Sequence, residues 1–168
     1  MIFVAHGDGH FAAPGWTARC HLGRSGVVAA KDKREGDGAS PIGIWPIRRV
    51  LVRPDRIPTL QTRLPVSCLD RADGWCDAPQ DPAYNRPVRL PYPASAENLW
   101  RDDEVYDLIG VLGHNDDPPV PGMGSAIFLH LARPDGAPTE GCIALAQPDL
   151  LRLLAEAGPG AAVEIRSA

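Results

Sequence analysis

Ser125-Ala126-Ile127-Phe128-Leu129-His130-Leu131-Ala132-Arg133-Pro134-Asp135-Gly136-Ala137-Pro138-Thr139-Glu140-Gly141-Cys142-Ile143-Ala144-Leu145 is the stretch whose reading decides the fold. Its apolar run, Ala126 to Leu129, has the length and composition of a buried strand. His130 stands at the end of that run. A loop built on proline, glycine and aspartate follows, then Gly141-Cys142, then a second short apolar run from Ile143 to Leu145. Two strands joined by one loop therefore carry an imidazole and a thiol at their ends. A free thiol is mostly protonated at neutral pH, and its thiolate is the nucleophile. A neighbouring imidazole helps either by accepting the proton or by standing beside the sulfur as a charged partner. Gly141 leaves room for a carbonyl to approach the backbone N–H groups at Gly141 and Cys142, which are candidates to hold an oxyanion. The competing reading is structural: cysteines in apolar surroundings are commonly inert core residues.

The remainder of the chain bounds the class. Its 168 residues suit one domain, residues 1–168, around one core. A 44% hydrophobic and 23% charged composition is that of a globular protein. With 17 glycines and 18 prolines, short strands and many turns are favoured over long helices. The net charge of −4 leaves no electrostatic footprint for nucleic acid. No stretch is long and apolar enough to span a bilayer as a helix. The first ten residues lack the basic start and long apolar run of a secretory signal. An exported form then needs a leader cut from this sequence or an unconventional start; the other reading is work in the cytosol on recycled fragments. Cys20, Cys68, Cys76 and Cys142 have no paired spacing for structural zinc, and His6-Gly7-Asp8-Gly9-His10 reads as a solvated turn, so no metal site is expected. Cys68 and Cys76 either close a small disulfide loop or remain free.

Along the chain, Ile2–Ala5 and Val27–Ala30 read as strands of an antiparallel sheet. In the mixed-charge loop 31–38, Lys33 and Arg34 are alternative contacts for a substrate carboxylate. Residues 42–52 read as one strand kinked at Pro46. Arg48, Arg49, Arg53 and Arg56 form a basic patch, either a solvated edge or a contact for acidic groups. The proline-dense segments 54–93 and 116–121 are expected to lie over the core as rigid loops, barred from the central sheet, with one of them forming a wall or lid of a cleft. Tyr106 to Gly113 reads as a buried strand running into His114-Asn115-Asp116. His114 is either a second imidazole near Cys142 or a strand cap. Tyr106 is either core or a hydrogen-bond donor to substrate. Gln147 to Gly158 reads as a helix, with Pro148 and Asp149 in its first turn and Leu150, Leu151 and Leu154 on the buried face. A last strand follows from Ala161 to Ile165.

Thr139-Glu140-Gly141-Cys142-Ile143 resembles the Ser/Thr-His-Gly-Cys motif of the L,D-transpeptidases, the YkuD-domain family of peptidoglycan cross-linking enzymes. His130 matches that family's upstream histidine. Gly38-Ala39-Ser40-Pro41-Ile42-Gly43-Ile44-Trp45 is similar to its Thr-Pro-x-Gly-x-Phe segment, which packs under the active site. The similarity runs from about Arg19 to Ile165. The resemblance implies a mostly β fold, a sandwich or open barrel with one helix after the nucleophile, and catalysis by Cys142, His130 and Gly141 without a cofactor. It implies that the Leu131 carbonyl orients His130, with Thr139, Glu140, Arg133, His114 and Tyr106 as candidate substrate contacts. The implied partners are peptidoglycan stems and glycan in the periplasm or cell envelope, met by a monomer. Two departures stand out: Glu140 replaces the motif histidine, making the thiol's surroundings less cationic, and the loop from His130 to Cys142 is short. They point to a divergent branch. Short proteobacterial branches include enzymes that use the first stem residue, L-Ala, as acyl donor rather than the third. The acceptor implied is the side-chain amine of diaminopimelate. An L,D-carboxypeptidase using water and a silent wall-binding module are the alternatives.

Overall fold

The computed structural model describes residues 1–168. Thirteen strands follow in order: β1 (Ile2–His6), β2 (His10–Ala13), β3 (Trp16–His21), β4 (Val27–Ala29), β5 (Ser40–Val52), β6 (Val66–Cys68), β7 (Asp73–Cys76), β8 (Pro87–Arg89), β9 (Ala96–Asn98), β10 (Leu108–Leu112), β11 (Phe128–Leu131), β12 (Ile143–Leu145) and β13 (Ala162–Arg166). The helix α1 (Gln147–Glu156) lies between β12 and β13, and a single 3-10 turn spans Ala30–Asp32. The fold is mostly β, as the resemblance implies and the turn-rich composition favours. No helix is long and apolar enough to cross a membrane.

The sheet is a closed ring. From β10 the hydrogen-bonded path runs through β11, β12, β3, β2, β1 and β13 to β5, and β5 pairs back to β10. The barrel form of the expected sandwich or open barrel is thus the one seen, with β5 hydrogen-bonded to β10 across its seam. The long strand β5 makes this possible. Its Gly43–Pro46 half pairs with β13, and its Ile47–Val52 half pairs with β10. Opposite Val111–Leu112 the register skips Arg48, so the kink expected at Pro46 is a β-bulge two residues on, which turns the strand from one partner to the other. Pairing is mixed: β1–β13, β11–β12, β4–β5 and β5–β6 are parallel, which corrects the antiparallel sheet expected around residues 1–30.

The proline-dense segment also departs from expectation. It places β6 against β5 in the main sheet, while β7 pairs with β8 and with β9 in a separate three-stranded sheet. Its prolines permit this because they sit at strand margins: Pro65 precedes β6, and Pro87 is the first residue of β8. Residues 99–107 form turns without a helix.

Two apolar clusters sandwich the strands β10, β11 and β12. Leu108, Leu112, Leu129, Leu131, Ile143 and Leu145 face the barrel interior, where Leu150, Leu153 and Leu154 of α1 join Phe3, Phe11 and Val163. The buried helix face includes Leu153; Leu151 is only half-buried. On the other face Ile109, Val111, Phe128 and Cys142 pack with Trp75, Leu99 and Tyr106. The twofold alternation of a strand produces this division, and it explains why these short strands are apolar throughout.

Candidate active site

The same alternation places the imidazole and the thiol. β11 and β12 are parallel, with Leu129 opposite Ile143 and His130 opposite Ala144. Leu129 and Ile143 point into the barrel, so His130 and Ala144 point outward, as do Phe128 and Cys142. His130 and Cys142 line one cavity of about 440 Å³ between the barrel wall and the three-stranded sheet. They are 6% and 8% exposed, so neither is sealed from that cavity nor open to bulk water.

Backbone geometry fixes Cys142. Gly141 has φ +138°, and a Cβ there would stand 2.8 Å from the Ala39 carbonyl oxygen, so only glycine fits. The Gly141 N–H donates to Thr139 Oγ1 at 3.0 Å, and that hydroxyl donates to the Cys142 carbonyl at 2.7 Å. Ser40 Oγ donates to the same carbonyl at 3.4 Å, and Ala39 and Ser40 lie against Gly141–Cys142. The expectation for oxyanion binding is therefore narrowed. The Gly141 N–H is already committed to Thr139, whereas the Cys142 N–H donates to no protein acceptor. Thr139→Val is expected to strand a buried donor and weaken the hold on a buried carbonyl, costing about 1–3 kcal/mol in urea melts. Thr139→Ser should recover most of that loss.

The sulfur rests as a neutral thiol. Sγ donates to the Ala126 carbonyl at 3.1 Å and accepts from the Phe128 N–H at 3.4 Å. Ala126 adopts a left-handed conformation, φ +51°, and its N–H is held at 3.0 Å by Asn85 Oδ1. Burial pushes the Cys142 thiol up to about 12, and the carboxylate of Glu97 adds to the effect. Burial pulls His130 down to about 4, opposed by its hydrogen bond to Leu131 and reinforced by Arg101 and Arg133. His130 Nδ1 lies 2.9 Å from the Leu131 carbonyl. A carbonyl only accepts, so Nδ1 carries the proton and Nε2 keeps a free lone pair. Both shifts favour the first reading of the imidazole, proton acceptor rather than charged partner, because burial holds each group neutral. Tyr106 packs edge-on to His130 with ring centroids 5.4 Å apart, and its hydroxyl donates to Glu97 Oε1 at 2.6 Å.

Thr139, Glu140, Arg133 and Tyr106 also line the cavity. Glu140 is largely exposed and forms two contacts, 2.9 and 3.0 Å, with Nε of Arg24. The anion that acts on the thiol is Glu97 rather than Glu140. Leu131 takes part through its backbone oxygen, its side chain being core. His114 is not among the residues lining this cavity. It is buried edge-on against Trp45 at 4.8 Å, and its carbonyl accepts from Asn85 Nδ2, which corrects its placement as a second imidazole near the thiol. Of the pair Lys33 and Arg34, Lys33 lines the cavity, buried and bonded to Asp37 and the Arg34 carbonyl. In the basic patch Arg48, Arg53 and Arg56 pair with Asp116, Asp55 and Asp107, and none of its four arginines lines the cavity. Cys68 and Cys76 are free thiols. The proline-dense segment contributes Asp77 to the cavity wall. Glu97 and Asn85 were missed: neither stands in a motif, and only the folded chain brings them to the thiol.

A closed, mostly β barrel whose buried thiol and imidazole line one cavity from neighbouring parallel strands defines a class, the β-barrel proteins with a cysteine and a histidine in a shared cleft. Within it, the YkuD family model, L,D-transpeptidase catalytic domain, matches residues 3–165, and the chain belongs to that family. Among solved structures it is similar to L,D-transpeptidase 1 of Mycobacterium tuberculosis, with 14% identity and a TM-score of 0.42 over 98% of this chain and 60% of that one. This chain thus spans less than two thirds of that relative's length. No curated protein matches it.

Proposed function

We propose that residues 1–168 form one catalytic domain of a peptidoglycan L,D-transpeptidase that works through a cysteine acyl-enzyme in the cell envelope. The observation that carries this reading is the shared cavity: Cys142 Sγ and His130, with Nε2 free, face it from one side of paired strands. As Sγ attacks a donor-stem carbonyl, the carbon–sulfur bond forms and the thiol proton passes to His130 Nε2. The developing oxyanion is met by the Cys142 N–H. The carbon–nitrogen bond then breaks, and His130 returns the proton to the leaving amine. The donor is the third stem residue or the first, L-Ala. The side-chain amine of diaminopimelate on an acceptor stem next attacks the thioester and regenerates the thiol. Arg133 on the cavity wall, which is paired with no carboxylate, is suited to a stem carboxylate.

Incubation with purified disaccharide-peptides, followed by mass spectrometry, tests the proposal. Cross-linked dimers are the expected product, and the donor position is read from their fragmentation. Trimmed monomers alone would replace transfer with L,D-carboxypeptidase activity. A carbapenem supplies the second measurement, since the family resemblance implies that it acylates this cysteine. Absence of both product and adduct would overturn the enzyme reading in favour of a wall-binding module.

A further inference from the structure

The cavity that holds Cys142 and His130 is not isolated. A shallow groove of about 520 Å³ lies beside it, lined by Glu97, Asn98, Trp100, Arg101, Asp102 and Asp103. Glu97 and Arg101 belong to both linings, so they stand on the wall between the two spaces. Arg101 is committed to Asp103 through contacts of 2.7 and 2.6 Å. Glu97 has no ion pair. Its Oε1 accepts from Tyr106, and its Oε2 accepts from no group of the protein. A half-buried carboxylate with no ion pair of its own, on which Arg101 acts only through space, is costly, and a cationic ligand relieves that cost.

A transferase needs a second approach to its thioester once the donor occupies the first. Resting on the transpeptidase reading above, we propose that the Glu97 groove is the acceptor entrance, and that Glu97 receives the acceptor's ammonium group and selects an amine over water. The proton balance fits this role. An ammonium has no lone pair, so one proton must leave before attack and a second after it. Glu97 takes the first and yields it to water when the product leaves. His130 takes the second as the new carbon–nitrogen bond forms, and passes it to the departing thiolate as the carbon–sulfur bond breaks. Overall the acyl group moves from sulfur to nitrogen and one proton is released. In the free enzyme the same carboxylate opposes ionisation of Cys142.

Opposite effects on the two half-reactions are expected from Glu97→Gln. Removing the anion should leave carbapenem acylation of Cys142 as fast or faster by intact mass. With disaccharide-peptides carrying free amines, the dimer-to-trimmed-monomer ratio should fall at least tenfold, through a raised KM for the amine. Glu97→Asp, which keeps the charge one methylene further back, should recover part of the ratio. N-acetylated peptides, lacking a nucleophilic amine, should give only trimmed monomer, at equal rates for wild type and variant. An unchanged ratio in an active Glu97→Gln enzyme overturns the proposal. So does parallel loss of acylation and dimers in both Glu97 variants, because Glu97 would then serve the nucleophile. A wild type that neither labels nor turns over sinks the transpeptidase reading itself, a distinct outcome.

Discussion

Cys142→Ala is expected to abolish the carbapenem adduct and all cross-linked product, and His130→Gln to slow acylation about 10²–10⁴-fold. The argument rests on the resting protonation states. With the thiol pushed up to about 12, only about 10⁻⁵ of it is ionised at pH 7. The resting sulfur is therefore held as a thiol, which favours a proton that moves as sulfur attacks. The acceptor for it is His130 Nε2, left free because Nδ1 is tied to the Leu131 carbonyl. Glutamine fills much of the same space but is no base near neutral pH. The pH profile gives an independent check. A histidine held down at about 4 stays neutral through the range where an ordinary imidazole titrates. Acylation by a carbapenem should thus keep its rate as pH falls through 6.5 and decline only near 4. Stopped-flow acylation between pH 4 and 8 measures this, and an acid limb centred at 6.5 would show His130 to be solvated in the working enzyme.

The site was legible where chemistry and periodicity coincide in sequence. Between Ser125 and Leu145 an apolar strand, an imidazole, a turn, a glycine and a thiol follow in the order in which they are used. One parallel register then brings both groups to one face. The helix was legible for a similar local reason, with Pro148 in its first turn and leucines at helical spacing. Barrel closure was not. It depends on β5 changing partners across a bulge at Arg48, and the partners are β10 and β13, more than 50 residues away along the chain. Glu97 was invisible because Ala96-Glu97-Asn98 forms a three-residue strand in a separate sheet, with nothing in its local sequence to tie it to Cys142. Glu140 misled in the opposite direction. Next to Gly141-Cys142 in sequence, it was read as part of the thiol's electrostatics, but its carboxylate is turned to Arg24, 116 residues away. His114 misled because a strand ending in His-Asn-Asp resembles a site edge, whereas packing against Trp45 takes its ring elsewhere.

Acid should destabilise this fold before its carboxylates titrate in bulk, with a loss on the order of 6 kcal/mol between pH 6.5 and 4. His114 and His130 are both buried, and both are pulled from the usual 6.5 down to about 4, chiefly by burial. The sign follows from depressed folded values. Above about 6.5 both folded and unfolded chains hold these rings neutral, and no stability depends on them. Between 6.5 and 4 the unfolded chain binds two protons that the folded chain refuses, so stability falls as pH drops. Below about 4 the folded chain is protonated as well, and the loss levels off. Each ring contributes a slope of about 1.4 kcal/mol per pH unit within that window. Lys33 reinforces the depression at His114 while Asp116 and Asp37 oppose it; at His130 Arg101 and Arg133 reinforce it and Asp103 opposes it. Glu97 and Asp107, whose pKa values are raised by burial, act with the opposite sign and take back part of the loss. Urea melts at pH 5 and 6 should give a slope of about 2 kcal/mol per unit for the wild type, below the two-proton limit because of these carboxylates. His114→Phe keeps an aromatic ring against Trp45, removes one of the two protons, and should lower that slope by about 1.2 kcal/mol per unit without touching Cys142. A slope unchanged in His114→Phe would mean that His114 is not held neutral in the folded protein.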